Sequence, residues 1–281
     1  MIDVSTNFAE AYRALLIRIR TYGSYDVNQR TKAGIAFLPD GWSFVIRLHD
    51  NILPTCGLRR TRPHIAAAET AWCFRGETSV AWLNHHTKIW NAFSNDNGVM
   101  EAYGYRWKHQ FGLDQIKMAI ERFQKDPTDR RVWITSYHPG KDLTDRGQKT
   151  VPCPVGFTLS MFENRLNSSF VIRSSDVLIG LPLDVMRHAF VMRAIANSLN
   201  AQLGHMRILL AHPHLYENQW DTVDQMLNKE AVVPDFHMPT YPWTVDLIAH
   251  NSDGYVNMIK EEAATYIYKW PDFDPKVEVV R

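Results

Sequence analysis

The chain has 281 residues, of which 45% are apolar and 12% aromatic, and 31 basic and 30 acidic side chains leave a formal charge of +1 at pH 7. This composition supplies a large hydrophobic core and excludes the highly charged, weakly hydrophobic class of disordered chains. Because the net charge is near zero, the protein lacks the broad positive electrostatic potential that binds a nucleic-acid backbone. Nucleic acid is therefore not expected as a partner.

The first half of the chain predicts an amphipathic helix, an exposed basic loop, two strands and a second helix. In chain order these cover Asn7 to Tyr22, Asn28 to Gly34, a strand from Ile35, a strand from Trp42 to Leu48, and Pro63 to Phe74. Pro63 suits a first helical turn and the alanine-rich body favours a helix. Glu69 lies inside this apolar helix. A buried carboxylate is costly unless it is paired or hydrated, so function explains Glu69 better than packing does.

The second half predicts another helix, several strands and one long buried helix. The predicted elements are a helix from Asp114 to Lys125, a strand from Arg131 to Tyr137, paired strands at Val155 to Glu163 and Leu166 to Arg173 around a turn at Asn164-Arg165, a helix from Pro182 to Leu203 with Gly204 as its C-cap, and a strand from Met206 to Ala211. The pattern indicates an α+β fold with one mixed, twisted sheet packed by helices. Without a repeat or linker, residues 1–281 are expected to form one domain.

The sequence also bounds the compartment and the cysteine chemistry. It has neither a basic N-terminal segment followed by an apolar core nor a run of roughly 18 apolar residues, so we expect no membrane insertion and a cytoplasmic protein, in the host cytoplasm if a phage encodes it. The cysteines, Cys56, Cys73 and Cys153, form no CxxC pair. Neither a disulfide framework nor a metal site is therefore expected.

Cys153 is the candidate nucleophile. Prolines flank it at the entrance to a predicted strand, which fixes the backbone and favours a rigid, exposed thiol. A lone cysteine is more often inert packing, but Arg130-Arg131 and Arg173 occur at neighbouring strand ends. Arginine forks suit a phosphate dianion, and a nearby guanidinium favours the thiolate. Together with Arg30 they supply enough positive charge for one nucleotide phosphate.

Eight short motifs occur in one order along the chain. They are Glu69 to Thr78, Lys88 to Trp90, Tyr103 to Trp107, Asp129 to Arg131, Pro152-Cys153, Arg173 to Val177, Gly180 to Pro182, and His214 to Tyr216. Their order resembles the thymidylate synthase superfamily over about Arg30 to Asn218. The resemblance implies a thymidylate synthase-like α+β fold whose sheet forms the interface of a homodimer. It also implies transfer of a one-carbon unit from 5,10-methylenetetrahydrofolate to C5 of a pyrimidine nucleoside monophosphate.

The resemblance assigns a role to each matching residue. Cys153 would attack C6 of the pyrimidine, which makes C5 a carbon nucleophile. Glu69 would organise the proton transfers, and Asp176 would join the catalytic set. Arg30, Arg173 and Ser174 would hold the phosphate together with Arg130 and Arg131 of the neighbouring subunit, His214 and Tyr216 would hold the sugar 3′-hydroxyl, and Trp90, Tyr103, Asp176 and Gly180 would lie around the folate and the base.

Asp184 is the main departure from the synthases, which have asparagine at this position. The asparagine amide accepts from N3–H and donates to O4 of uracil. Cytosine offers the reverse pattern, and an aspartate that is protonated or shares a proton fits it. Asp184 therefore predicts a cytidylate substrate and the hydroxymethylase branch of the superfamily, with Asp184 in both the catalytic and the substrate-binding sets.

Two further departures concern how the reaction ends. Pro154 stands where the synthases usually have histidine, and Phe93 stands where they have tryptophan. The resemblance implies that both would lie where the one-carbon intermediate is handled, which favours capture by water over hydride transfer from folate. Arg131 and the hydroxyl of Ser174 resemble the deoxynucleotide enzymes of the superfamily, and this resemblance favours dCMP over CMP. Formation of 5-methyl-dCMP, use of CMP, use of dUMP, and a noncatalytic nucleic-acid-binding dimer remain as alternatives.

Overall fold

Helices and short strands alternate irregularly along the chain, as in α+β folds. The computed structural model describes residues 2–3, 7–144, 151–266, 270–277 and 280. The strands are β1 (Ile2–Asp3), β2 (Ser24–Val27), β3 (Gly34–Phe37), β4 (Trp42–Arg47), β5 (Trp133–Thr135), β6 (Pro154–Phe162), β7 (Arg165–Ile172), β8 (Ser175–Asp176), β9 (Gln202–Leu210) and β10 (Pro213–Tyr216). The helices are α1 (Phe8–Tyr22), α2 (Pro63–Arg75), α3 (Tyr103–Lys108), α4 (Gln115–Lys125), α5 (Pro139–Asp142), α6 (Gly180–Ser198), α7 (Trp220–Leu227), α8 (Val245–His250) and α9 (Ser252–Thr265). Short 3₁₀ helices cover Leu83–His85, Ile89–Ala92 and Glu217–Gln219. None of these described helices is both long and apolar enough to span a membrane.

The larger sheet has six strands in the order β1-β4-β9-β7-β6-β5. Its pairings are antiparallel except for β1 with β4 and β7 with β9, so the sheet is mixed. Side chains alternate between its faces, and one buried row crosses four strands in register through Phe44, Ile208, Phe170 and Phe157. The long helix α6 packs against β7 and β9, and α2 packs on α6. The predicted mixed sheet packed by helices is thereby confirmed.

A second sheet of four strands, in the order β2-β3-β10-β8, was not predicted. Its strands have two to four residues, which is too short for a periodicity signal. The parallel pairing of β8 with β10 sets Asp176 opposite His214. This sheet therefore brings together residues that lie almost forty positions apart in the sequence.

The long helix begins earlier and ends earlier than predicted. The apolar pattern indicated Pro182 to Leu203, whereas α6 covers 19 residues. The helix stops because Asn200 adopts a left-handed φ of 52° and the amide of Ala201 donates to the carbonyl of Ala196 at 2.8 Å, a Schellman-type closure. The prediction of Gly204 as C-cap was wrong, because that glycine lies inside β9.

Two boundaries on the other side of the sheet also differ. The tight turn lies at Glu163-Asn164 rather than Asn164-Arg165, since both of its residues have positive φ, at 47° and 56°, as a type I′ hairpin requires. The strand predicted from Arg131 to Tyr137 is limited to the three residues of β5. It ends because the next two amides both donate to the carbonyl of Val155, at 2.9 and 3.3 Å, which interrupts the ladder.

Candidate active site

Cys153 lies immediately before β6 and is the only partly exposed cysteine, since Cys56 and Cys73 are buried. The Arg173 guanidinium fixes the segment that carries it, because Nε donates to the Pro152 carbonyl at 2.9 Å and a terminal nitrogen donates to the Val151 carbonyl at 2.8 Å. Burial raises the pKa of the Cys153 thiol, while the neighbouring arginine charges oppose that rise. The segment that carries the thiol is thus fixed by Arg173, whose charge favours the thiolate, whereas burial and the charges of Asp184 and Asp176 favour the neutral thiol.

Arg30 approaches the thiol from the predicted basic loop. The Asn28 side chain organises this loop, accepting from the amides of Arg30 at 3.1 Å and Thr31 at 3.0 Å. Arg30 itself is exposed, yet its charge lowers the pKa values of Cys153 and His214. The loop therefore brings one exposed guanidinium close to the thiol. Ser174, also predicted for the phosphate, is half-buried between Arg173 and the start of β8.

The four-stranded sheet positions the predicted sugar-binding residues. His214 and Tyr216 lie on β10 with perpendicular rings whose centres are 5.1 Å apart. Asp176 on β8 accepts from the Gln219 side-chain amide at 2.9 Å, and Gln219 in turn accepts from the Tyr216 amide at 3.1 Å. Burial lowers the pKa of His214 against the opposing effect of Asp176. A neutral imidazole and a phenol thus lie side by side on this sheet.

Asp176, predicted for the catalytic and folate sites, also holds backbone amides at the start of the long helix. Its second oxygen accepts from the amides of Leu178 at 3.1 Å and Ile179 at 3.0 Å, just before α6. Burial raises the pKa of Asp176, and these donors oppose the rise. The carboxyl therefore ties β8 to the start of α6, where Gly180 lies.

Glu69 is buried on α2, as the sequence predicted, and has partners on two other elements. One oxygen accepts from Trp90 Nε1 at 2.8 Å, and the other accepts from the Arg187 guanidinium at 3.2 Å. Burial raises the pKa of Glu69, while Arg187 and Trp90 oppose the rise. The carboxyl is satisfied by hydrogen bonds rather than isolated in the core.

Asp184 extends the same group of charges. Its Oδ1 accepts from a terminal nitrogen of Arg187 at 2.6 Å, and 15% of its side-chain surface is exposed, against 3% for Arg187. The Arg187 guanidinium also lies over the Tyr103 ring, 4.5 Å from its centre. Glu69, Asp184 and Arg187 together are called the buried wall. Asp184 is close enough to Cys153 for its charge to raise the pKa of the thiol.

Aromatic rings continue the site beyond the buried wall. Trp90 lies 5.7 Å from Tyr103 and 5.9 Å from Phe93, measured between ring centres. Trp90 and Phe93 are half-buried, whereas Tyr103 is buried. Trp90 and Tyr103, which the sequence predicts to lie around the folate and the base, are in ring contact with each other beside Glu69, and Phe93 joins them.

Arg130 and Arg131 lie apart from the thiol within one chain. Both side chains are exposed, just before β5 at the edge of the larger sheet. The buried carboxylate of Asp129 accepts from the Arg131 amide at 2.8 Å and from its Nε at 3.2 Å. Within the described residues, neither arginine hydrogen-bonds to the residues around Cys153. Arg30, Arg130 and Arg131 together are called the arginine rim.

Sequence reasoning missed two residues of the site. Gln219 has no motif that marks it, since its role depends on the pairing of β8 with β10. Arg187 could have been found, because it lies one helical turn after Asp184 in a segment otherwise rich in buried apolar residues. Asking which cation balances Glu69 and Asp184 in that core would have pointed to it.

The fold and the site define an α+β protein that presents a thiol among arginines, beside a wall of paired carboxyls. Residues 10–249 match the sequence profile of the family described as thymidylate synthase. The thymidylate synthase of Buchnera aphidicola subsp. Acyrthosiphon pisum (strain Tuc7) is 31% identical over 164 residues, which are 55% of this chain and 61% of that protein. The thymidylate synthase of Wigglesworthia glossinidia brevipalpis is 26% identical over 225 residues, 77% of this chain and 83% of that protein. The chain belongs to the thymidylate synthase family.

Proposed function

We propose that this protein transfers a one-carbon unit from 5,10-methylenetetrahydrofolate to C5 of dCMP and releases 5-hydroxymethyl-dCMP. The observation that carries the proposal is Asp184, a carboxyl where the related synthases have an amide, held beside Cys153 and only partly exposed. Its Oδ1 is bonded to Arg187. The other oxygen remains to meet the base.

Hydrogen-bond chemistry explains why a carboxyl at this point selects cytosine. Cytosine presents an acceptor at N3 and a donor at its 4-amino group, so one carboxyl that shares a proton with N3 can satisfy both. Uracil presents N3–H and O4, and a carboxylate meets O4 with repulsion. A polar group left unpaired in a buried site costs orders of magnitude in selectivity.

The reaction begins with covalent attack. The Cys153 thiolate bonds to C6, and the C5–C6 electron pair makes C5 a nucleophile toward the one-carbon unit that folate supplies. Loss of the C5 proton to the Glu69 carboxylate and cleavage of the bond between the one-carbon unit and the folate nitrogen leave an exocyclic methylene group on the base. The nitrogen takes the electron pair and a proton, and tetrahydrofolate is released. The methylene carbon then bonds to the oxygen of water, the C6–S bond breaks to restore the thiolate, and one proton of the water is released.

Two residues, Pro154 beside the thiol and Phe93 beside Trp90, support capture by water rather than hydride. Pro154 has no N–H and no polar side-chain group, so it offers no proton-transfer group next to Cys153. Phe93 supplies a smaller ring than tryptophan beside Trp90. The half-buried rings of Trp90 and Phe93 offer flat apolar surface for the heteroaromatic ring of folate.

A homodimer completes the proposal. One face of the larger sheet carries the buried row, and the opposite face includes exposed or half-buried apolar side chains such as Trp133 and Val171. Pairing of two such faces buries this surface and brings Arg130 and Arg131 of the partner toward the nucleotide phosphate. Arginine forks suit that dianion.

The test is to incubate the protein with 5,10-methylenetetrahydrofolate and dCMP, dUMP or CMP in turn and to determine each product by mass. Addition of CH2O to dCMP is expected. Addition of CH2 with formation of dihydrofolate would make it a methylase, modification of CMP in preference to dCMP would make it a ribonucleotide enzyme, and modification of dUMP alone would overturn the assignment of Asp184. Salt-sensitive nucleic-acid binding that persists in Cys153→Ala, without any nucleotide product, would favour the noncatalytic alternative.

Asp184→Asn is the matching variant. Its amide donates to O4 and accepts from N3–H, so the preference should shift from dCMP toward dUMP. Asp224→Asn is the control, because Asp224 pairs with Arg20 on the surface instead of lying in the site. An unchanged preference in Asp184→Asn would refute the proposed base recognition.

A further inference from the structure

Arg187 holds two carboxyls that the proposed reaction uses for different purposes. One terminal nitrogen bonds to Glu69 on α2 at 3.2 Å, and the other bonds to Asp184 on α6 at 2.6 Å. Arg187 and Glu69 have side chains only 3% and 4% exposed. Among the described residues, no other Lys or Arg lies within ion-pair distance of either carboxyl.

The charges of the buried wall constrain how many protons it can hold. The guanidinium remains protonated at all relevant pH values. With both carboxyls ionised the wall has a net charge of −1, and with one proton between them it is neutral. An uncompensated buried charge is strongly disfavoured, so the neutral state with one proton is the stable one. Burial raises the pKa of both carboxyls, with Arg187 opposing, in agreement with this count.

The geometry also indicates where that proton is useful. Asp184 Oδ2 accepts no hydrogen bond from the described residues, and 15% of the Asp184 side-chain surface is exposed. Glu69, in contrast, has donors on both oxygens, which favours its ionised form. A proton shared between Asp184 and N3 of cytosine leaves Glu69 as a carboxylate that can accept the C5 proton.

We propose that Arg187 is a positioning residue that limits the two carboxyls of the buried wall to one proton, so that Asp184 can share it with a cytosine base while Glu69 remains the proton acceptor. This rests on the proposed function in its choice of base, but the proton count itself does not depend on which pyrimidine binds. Arg187 touches neither reacting atom in this scheme and acts through Glu69 and Asp184.

Other groups facing the wall do not supply this charge. The titratable side chains around Arg187 are Glu69 and Cys73 on α2, Tyr103 on α3, and Asp184 and His188 on α6, and Cys153 faces Asp184 from the position just before β6. Burial raises the pKa of Cys73 to about 12 and that of Tyr103 well above its usual value, and burial lowers the pKa of His188 to about 3, so all three are neutral at pH 7. The balance is therefore set by one arginine and two carboxyls.

The test isolates proton transfer at C5 from the folate-dependent step. In D2O without folate, addition of the Cys153 thiolate to C6 allows C5 to take up a deuteron, and loss of protium to Glu69 followed by release of the thiolate returns the deuterated nucleotide. The rate of deuterium incorporation into dCMP is measured by mass from pH 5.5 to 8.5. Binding of dCMP is measured in parallel from the quenching of tryptophan fluorescence, and folding from the thermal transition.

Removal of the positive charge and removal of one carboxyl should move the pH profile in opposite directions. In Arg187→Gln both carboxyls can be protonated, so the rising limb of exchange should move to higher pH by about one unit or more, with a roughly 10-fold or greater loss at pH 7 and dCMP still bound. In Arg187→Lys the charge is retained and the limb should stay near its wild-type position. In Asp184→Asn, followed with dUMP, Glu69 has Arg187 to itself and the limb should move to lower pH.

These outcomes separate the two proposals. If wild-type protein exchanges C5 of dUMP and not of dCMP, the cytosine assignment fails, and the Arg187 variants are then compared with dUMP. If Arg187→Gln does not fold, Arg187→Lys and Asp184→Asn decide the question. If the pH dependence of exchange is unchanged in both Arg187→Gln and Asp184→Asn, the proposed role of Arg187 is overturned. Where Arg187→Gln is unfolded, an unchanged pH dependence in Asp184→Asn alone overturns it.

Discussion

The buried wall and the arginine rim place their charges in opposite surroundings. Arg187 is 3% exposed and each of its ion pairs lies within the fold, whereas the Arg131 side chain is 79% exposed and Arg30 and Arg130 are also at the surface. Water screens the charges of the arginine rim, so they depend less on fixed partners, although Arg131 is also paired with Asp129. Arg187 and Glu69 are buried, so the charges of the wall are balanced mainly by one another.

This contrast separates the two tasks of the site. A solvated set of guanidinium groups can release water and bind a phosphate dianion, which affects affinity for the nucleotide. A desolvated set of carboxyls with a fixed proton count can move a proton at a chosen atom, which affects turnover. Substitutions in the wall should therefore change kcat most, and substitutions in the rim should change KM most.

Glu69→Gln is expected to have the largest effect. The amide keeps the size of the side chain and can still accept from Trp90, but it cannot take up the C5 proton. We expect kcat to fall roughly 10²–10⁴-fold with little change in the KM for nucleotide, measured by steady-state product formation. Glu77→Gln, which alters a more exposed carboxylate paired with Arg75 near the end of the same helix, should be close to wild type. A loss confined to KM would contradict the division between wall and rim.

Arg130→Ala combined with Arg131→Ala should have the next largest effect. A hydrogen bond to a charged group contributes about 1.5–3 kcal/mol, so the KM for nucleotide should rise roughly 10–100-fold or more while kcat changes less. The rise should be greatest at low ionic strength. Steady-state kinetics at two salt concentrations measure both effects, with Arg20→Ala as a control for an arginine outside the site.

Mixing experiments sharpen this prediction. Chains with Cys153→Ala and chains with the double arginine substitution are each impaired alone. If the partner supplies the rim, a mixed dimer contains one site with an intact thiol and intact arginines, and activity should return on mixing and subunit exchange. Failure to regain activity after verified exchange would mean that Arg130 and Arg131 do not act across the interface.

Arg173→Gln tests the boundary between wall and rim, since Arg173 is partly buried and fixes the thiol segment. Its charge lowers the pKa of Cys153, so its removal should raise that pKa. The rate of Cys153 alkylation by iodoacetamide, followed by mass, should then rise with pH about one unit later than in wild type, leaving roughly 10-fold less thiolate at pH 7. Arg165→Gln is the control, because Arg165 lies at the start of β7, the strand that Arg173 follows, and its side chain donates to the Leu203 carbonyl. An alkylation profile that coincides with wild type would show that Arg173 does not control the thiol.

Some features of the fold and site were predictable from local sequence, and others depended on distant pairing. The cap residues Asn7 and Asp114 each accept a hydrogen bond from the amide three positions later in the chain. The starts of α1 and α4 were therefore predictable, because in each case a polar cap residue directly precedes the apolar helical pattern. The end of α6 was missed because Asn200, a left-handed cap less common than glycine, stops a run whose apolar pattern continues into β9. Motif spacing identified Cys153 but not Arg187, whose importance follows from charge balance in three dimensions.

Ser168→Ala should have the smallest effect and should leave chemistry intact. The substitution removes a buried hydrogen bond between two uncharged groups, Ser168 Oγ and His188 Nε2, which lie 2.8 Å apart. His188 directly follows Arg187 in the sequence. Burial, with the Arg187 charge in addition, lowers the pKa of His188 to about 3, so the ring is neutral at pH 7. Loss of the hydroxyl leaves a buried nitrogen unpaired and should lower the free energy of unfolding by about 1–3 kcal/mol, measured by urea denaturation, with kcat unchanged.

The protonation of His188 sets the direction in which the free energy of unfolding changes with pH. Its folded-state pKa lies below the value of roughly 6.5 expected in the unfolded chain, so the unfolded state takes up the proton first as the pH falls. The stability that neutral His188 contributes should therefore be present above about pH 6.5 and be lost progressively toward pH 3. His188→Gln should reduce that slope, and Ser169→Ala, on the other face of β7, should change stability by less than about 0.5 kcal/mol. A fall in kcat in Ser168→Ala at full folding would mean that the polar interior behind α6 takes part in catalysis, and the buried wall would then extend beyond Glu69, Asp184 and Arg187.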